Sequence, residues 1–197
     1  MARTKDVVLE KTRKAEILSA AARCFVKHGL HQASMRQICA EAKLSAGAVY
    51  NYFPSKDAII EGIADDERAE IKEIEEYLAT QTNAFDAVVQ VARWIIEESS
   101  AHSVQLQLEM AAEAGRSPTI NALVERNMSA LKSCLLDAII AGQSSKEITN
   151  SLSANDLCDC VTAVYDGFYG RLISADQNER ERLASLTEKT VAQLLKP

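Results

Sequence analysis

No apolar run in this 197-residue sequence approaches the ~20 residues that a membrane-crossing helix needs. The opening stretch, MARTKDVVLEKTRK, lacks the apolar core of a secretory signal, so a cytoplasmic location is expected. Three histidines, His28, His31 and His102, are too scattered to suggest a metal site. Five cysteines, at positions 24, 39, 134, 158 and 160, form no CxxC pair. Most sit on apolar helical stripes, which reads as buried free thiols in a reducing compartment, with a redox switch as the alternative. Cys158 and Cys160 are two residues apart, so on a helix they point away from each other. There is no Gly-rich phosphate loop, no nucleophile elbow and no cluster of His, Cys, Asp and Glu. Neither an enzyme nor a bound cofactor or metal is expected. No alternating strand pattern and no internal repeat interrupts an all-helical reading.

What is present is enough apolar residue, 47%, to build a core in one compact protein or two small domains. The formal net charge of -6 argues against nucleic acid only until its distribution is counted. Residues 1–56 hold 10 Lys and Arg against 4 Asp and Glu, while the remainder holds 12 against 24. A basic head on an acidic body is what one end touching phosphates would require.

The most informative stretch is 34–57, SMRQICAEAKLSAGAVYNYFPSKD. Ser34 followed by Gln37 makes a capping box, in which each side chain satisfies a backbone N–H at a helix start. Met35, Ile38, Cys39 and Ala42 then recur at helical spacing as one buried stripe. Lys43-Leu44 breaks the run, with Leu44 placed to plug the angle between two helices. Ser45 is a second N-cap, Ala46 to Phe53 is a helix of two turns at most, and Pro54 ends it. Ser55, with Asp57 two residues on, caps a third start. Two short helices joined by a tight turn form the helix-turn-helix pattern. Ala46, Gly47 and Ala48 on the first turn of the second helix would let its backbone approach the major groove closely. The free N–H groups of that turn and the Ser45 hydroxyl suit a phosphate oxygen.

Residues Ser34 to Ile60, above all AGAVYNYFPSKDAII, resemble the DNA-binding signature of the TetR family of bacterial transcriptional regulators. With the helix before it, the resemblance covers about the first third of the chain; the rest matches in length and helical character. It implies a DNA-binding domain over 1–54 and a helical ligand-binding and dimerisation domain over 55–197, about nine helices in all. By the same resemblance Tyr50, Asn51, Tyr52 and Lys56 match positions that contact phosphates or base edges. A Tyr hydroxyl can donate to a phosphate, and Lys56 supplies a point charge. Arg36 matches a position from which some members reach guanine, and a solvated arginine is the alternative. Ser34, Ser45, Ala46, Gly47 and Ala48 complete the expected DNA-binding set. Tyr52 could instead be a packing residue, and Val49 and Phe53 are assigned to the core. Small side chains at 46–48 can touch a thymine methyl but cannot form a bidentate pair, so specificity would lean on Arg36, Tyr50 and DNA shape.

Elsewhere the pattern predicts residues 1 to about 10 as an arm, where Arg3 and Lys5 could reach DNA, then a first helix from about Lys11 to His28 ended by Gly29. A helix from Ser55 to about Leu78 carries an isoleucine face and an acidic face, and would form a rigid lever to the body. Helices follow over about 84–100, 103–114, 119–141, 157–174 and 180–195, with a loop of about fifteen residues at 142–156. The resemblance implies that the last two helices form a four-helix dimer interface; their apolar residues, Leu157, Val161, Val164, Phe168, Leu172, Leu183, Leu186, Val191, Leu194 and Leu195, could equally be internal core. It also implies a small-molecule pocket among the middle helices. Candidates are Trp94, Gln105, Glu109, Asn127, Met128, Tyr165, Phe168 and Tyr169, and Glu109 with Trp94 and Tyr165 would favour a cationic or aromatic ligand. The expectation is a ligand-responsive repressor that binds a near-palindromic operator as a homodimer and is released by an inducer. An enzyme or carrier with a relic helix-turn-helix, or a DNA adaptor without sequence preference, are the rivals.

Overall fold

The structure, a computed structural model, describes residues 2–197, with side chains from residue 9 on. Arg3 and Lys5, expected on a DNA-reaching arm, lie outside the described side chains. α1 is Ala2–His28, longer than expected because no Gly or Pro precedes Gly29. Ile17, Ala21 and Phe25 are fully buried along its inner face, and Gly29 ends it at φ 80°, a conformation that favours glycine.

α2 is Met35–Ala42 and α3 is Ala46–Tyr50. The Ser34 capping box forms: the Ser34 N–H donates to Gln37 Oε1 at 2.9 Å, and the Gln37 N–H donates to Ser34 Oγ at 3.4 Å. Lys43 takes the left-handed conformation, φ 57°, that turns the chain between the two helices. Leu44 packs there against the core of Phe25, Ile38 and Val49, as the sequence led us to expect. α4, Lys56–Thr80, is one unbroken helix on which Ile59, Ile60, Ile71 and Ile74 are buried.

The remaining helices are α5 Ala84–Glu98, α6 Ala101–Ala114, α7 Pro118–Ser145, α8 Ala154–Tyr169 and α9 Gln177–Leu195, with a short 3-10 segment Gly170–Ile173 after α8. These nine α-helices, with no strand among the described residues, are the architecture expected. The fifteen-residue loop is not: α7 continues through Gly142 to Ser145, and α8 starts at Ala154 on an N-cap from Ser153. Gly142 stays helical because the chain folds back onto it. The N–H groups of Glu147 and Ile148 donate to its carbonyl at 2.8 and 3.0 Å, and a Cβ there would lie 2.6 Å from the buried Ile148 side chain. α9 likewise begins three residues early, on an Asp176 side chain that accepts from the Glu179 N–H at 2.8 Å.

Packing divides the chain into two compact units, Met1–Glu67 with Leu106–Val124, and Arg68–Gln105 with Glu125–Pro197. This cut falls elsewhere than the 54/55 boundary drawn by role. Ile59 and Ile60 of α4, Met110 of α6 and Ile120 of α7 all complete the core around Phe25, which α1 to α3 are too short to close alone. The second unit has two apolar clusters, one around Val88, Ile139 and Val191, the other around Ile96, Leu172 and Leu183.

Candidate nucleic-acid interface and effector residues

Two short helices need outside help to hold their shape, since helices this short are marginal alone. Here that help is local. Ser34 and Ser45 cap the starts of α2 and α3, the latter accepting the Ala48 N–H at 3.2 Å, and Ser55 accepts the Ala58 N–H at 3.1 Å ahead of α4. Beneath α3, Val49 is fully buried and Phe53 nearly so, which pins its inner face to the core. Its outer face is left to solvent: Ser45, Ala46, Gly47, Tyr50 and Asn51 are exposed, as are Ser34 and Arg36 on the first turn of α2. Ala48 is half-buried, and a Cβ added at Gly47 would meet nothing within 4 Å. The face is thus smooth at its start and carries a phenol at its end.

Two of the expected contacts face the protein. Tyr52 is half-buried and packs against the Phe25 core, the packing role held open for it. Lys56 is half-buried, and its ammonium donates to the carbonyls of Leu30, His31 and Ala33 at 3.0, 3.0 and 3.2 Å. Its point charge is engaged with the turn between α1 and α2. That role was not legible in the sequence, because it joins residues more than twenty apart. Beside this region Arg23 pairs with Glu41 at 2.7 Å on the exposed surface, and that hydrogen bond holds the Glu41 carboxyl below its ordinary range.

The expected effector aromatics fall in two different apolar clusters. Trp94 packs in the Val88 cluster, edge-on to Tyr77 with ring centroids 6.2 Å apart. Tyr165, Phe168 and Tyr169 pack around the Ile96 cluster; the two tyrosine rings are 5.0 Å apart, and Arg171 lies 6.0 Å over the Phe168 ring. Asn127 is 2% exposed and accepts from Arg126 Nε at 3.1 Å, and Gln105 is half-buried. Two further candidates lie outside these clusters. Met128 is 63% exposed, so it faces outward from α7. Glu109 belongs to the first unit, where its carboxylate takes the Leu30 N–H at 3.5 Å. Glu109, the one charged residue of the expected effector set, is engaged with the turn between α1 and α2.

On the last two helices the internal reading accounts for most of the apolar residues: Leu157, Val161, Leu172, Leu183, Val191 and Leu195 are all buried within the chain. Val164, Phe168 and Leu194 are half-buried and Leu186 is 37% exposed. All five cysteines are free thiols; Cys24, Cys39 and Cys158 are buried and the other two half-buried. No helix among the described residues is long and apolar enough to cross a membrane.

Residues 17–63 match the family described as bacterial regulatory proteins, tetR family. Over most of its length the chain is similar to curated relatives. It is 24% identical over 181 residues to the HTH-type transcriptional repressor AcnR of Corynebacterium diphtheriae, covering 91% of each chain. It is 26% identical over 183 residues to the HTH-type transcriptional regulator UidR of Escherichia coli, covering 89% of this chain and 87% of that one. Among solved structures, the transcriptional regulator FadR of Bacillus subtilis in complex with stearoyl-CoA superimposes with a TM-score of 0.74 at 18% identity, over 92% of this chain and 98% of that one.

Proposed function

Since the chain belongs to the tetR family of bacterial regulatory proteins and is a transcriptional regulator, we propose that it acts in the cytoplasm as a homodimeric repressor. Each protomer would read one half of a near-palindromic operator, and a small-molecule inducer bound in the second unit would release it. The observation that carries the reading is the outer face of α2 and α3. Arg36, Ser45, Gly47, Tyr50 and Asn51 are exposed together on a support fixed by three serine caps and by buried Val49 and Phe53. Fixed geometry of this kind is what base readout in the major groove requires.

Phosphate contact falls to the Tyr50 and Ser45 hydroxyls, since both donors of Ser34 are taken by Gln37, and base contact to Arg36, Asn51 and the small residues 46–48. A dimer would use the residues that the chain leaves exposed or partly exposed on α8 and α9, Leu186 with Val164 and Leu194, and a two-fold axis would match the operator's. For the inducer, the residues that remain are Trp94, Gln105, Asn127, Tyr165, Phe168 and Tyr169. They are mostly aromatic, so a molecule with a large apolar part suits them; the stearoyl-CoA bound by FadR has one, its long acyl chain. α4 is continuous between the units and is the natural lever for the response, which needs only ~1–3 kcal/mol of coupling.

The test is to incubate the purified protein with sheared DNA from its own genome at near-physiological salt and sequence what is retained. One enriched near-palindrome is expected, with Tyr50→Phe and Arg36→Ala each weakening its retention. Even retention of all fragments would favour an adaptor without sequence preference. Turnover of a metabolite by the same preparation would restore the enzyme reading.

A further inference from the structure

The turn joining α1 to α2 has its backbone polar groups engaged from three sides. The Gly29 N–H donates to Phe25 at 2.8 Å, and the Ala33 N–H donates back to the Gly29 carbonyl at 3.1 Å. From α6, the Glu109 carboxylate takes the Leu30 N–H and lies 3.9 Å from where a Gly29 Cβ would be. From α4, Lys56 takes the carbonyls of Leu30, His31 and Ala33. An ammonium has three donors, and these three carbonyls use them all. The residue after Ala33 is the Ser34 cap, so whatever holds this turn sets the start of α2 and, through the Lys43-Leu44 corner, the attitude of α3.

We propose that Lys56 is a positioning residue for operator binding, holding the α1–α2 turn opposite Glu109, and not a phosphate contact. The proposal rests on the DNA-binding reading above. A phosphate could engage the ammonium only by displacing a carbonyl that would then lose its partner in a half-buried turn. The exposed hydroxyls of Ser45 and Tyr50 face no such conflict.

Salt dependence separates the two roles, because each neutralised phosphate adds ~0.9 to the slope of log affinity against log salt. Using the operator recovered by the genomic selection, binding by wild type, Lys56→Met, Lys56→Arg and Glu109→Ala is measured by fluorescence anisotropy across a salt series. Amide hydrogen exchange is followed over residues 29–34. The expected result for Lys56→Met is a loss of about tenfold or more in affinity, as for a removed charge-assisted hydrogen bond. Its slope stays at the wild-type value while exchange across the turn accelerates. Lys56→Arg, which keeps donors for the carbonyls, recovers most of the affinity, and Glu109→Ala shows a smaller loss with the same unchanged slope. A slope reduced by ~0.9 in Lys56→Met, with exchange in the turn unaltered, overturns the proposal in favour of phosphate contact. Should Lys56→Met fail to fold by circular dichroism, Glu109→Ala decides by the same two readouts: unchanged exchange at Leu30 rejects the clamp. Wild-type protein that retains no fragment selectively sinks the DNA-binding reading itself, a result obtained before any variant is compared.

Discussion

Helix starts in both units are capped from three residues away, but the unit that carries α8 and α9 is laced by more ties between residues far apart in the chain. Ser34, Ser45 and Ser55 each accept from a backbone N–H three positions on. In the second unit Arg93 pairs with Glu188 at 2.6 Å, 95 residues distant. There the Thr149 N–H reaches the Leu195 carbonyl at 2.9 Å, Arg180 caps the carbonyls of Ser99 and Leu172, and Glu147 accepts the Ala84 N–H at 2.8 Å. The difference teaches what holds each region. The face of α2 and α3 is built from short-range caps and a small core, whereas α8 and α9 are held largely by partners distant in sequence.

The sharpest way to break the contrast is to remove a core residue from each side. Phe25→Ala deletes a fully buried side chain from the first unit and is expected to cost ~3–5 kcal/mol, read by urea unfolding together with loss of operator retention. Its counterpart Ile139→Ala should cost ~2–5 kcal/mol. Trp94, the only tryptophan, packs in the same cluster and reports that change by fluorescence. Next in size is Gly142→Ala. Overpacking against Ile148 costs ~1–3 kcal/mol, partly offset by the ~1 kcal/mol a helical Ala gains over Gly; a net loss seen by Trp94-monitored unfolding is expected, and a net gain would show that the fold-back yields freely. Ser34→Ala tests the local side and should lose ~1 kcal/mol, with α2 amides exchanging faster. A separate effect is confined to alkaline pH. Burial pushes the Cys134 thiol up to about 11, so the folded chain keeps a proton that the unfolded chain releases from ~8.5 upward. Stability should therefore decline as pH rises from about 9 to 11, and Cys134→Ala should flatten that decline in urea titrations.

How much of this was legible in the sequence follows the separation of the partners, whichever unit they lie in. The Ser34–Gln37 box, the Ser45 and Ser55 caps and the buried pair Val49 and Phe53 are local patterns, and each appears in the structure where the residues place it. The inward turn of Lys56, the place of Glu109 beside Leu30 and the fold-back onto Gly142 depend on partners far along the chain, so no window of sequence contains them. Two errors had signals nonetheless. Ser153 with Asp156 and Asp176 with Glu179 are cap patterns that mark the true starts of α8 and α9, ahead of the first apolar residues from which helix starts are usually read. The effector set is hard to read from sequence for a plainer reason. A polar or aromatic residue on an apolar helix looks the same whether it lines a cavity, fills a core as Trp94 does, or faces outward as Met128 does.

The bare first turn of α3 has a consequence for descent. Ala46, Gly47 and Ala48 carry no side chain longer than a methyl, and the space around Gly47 is open. A duplicated copy of this regulator could therefore acquire a new operator by addition alone. A longer polar side chain at 46 or 47 would introduce a base preference without first erasing one, so the route from one target to another need not pass through a protein that binds neither.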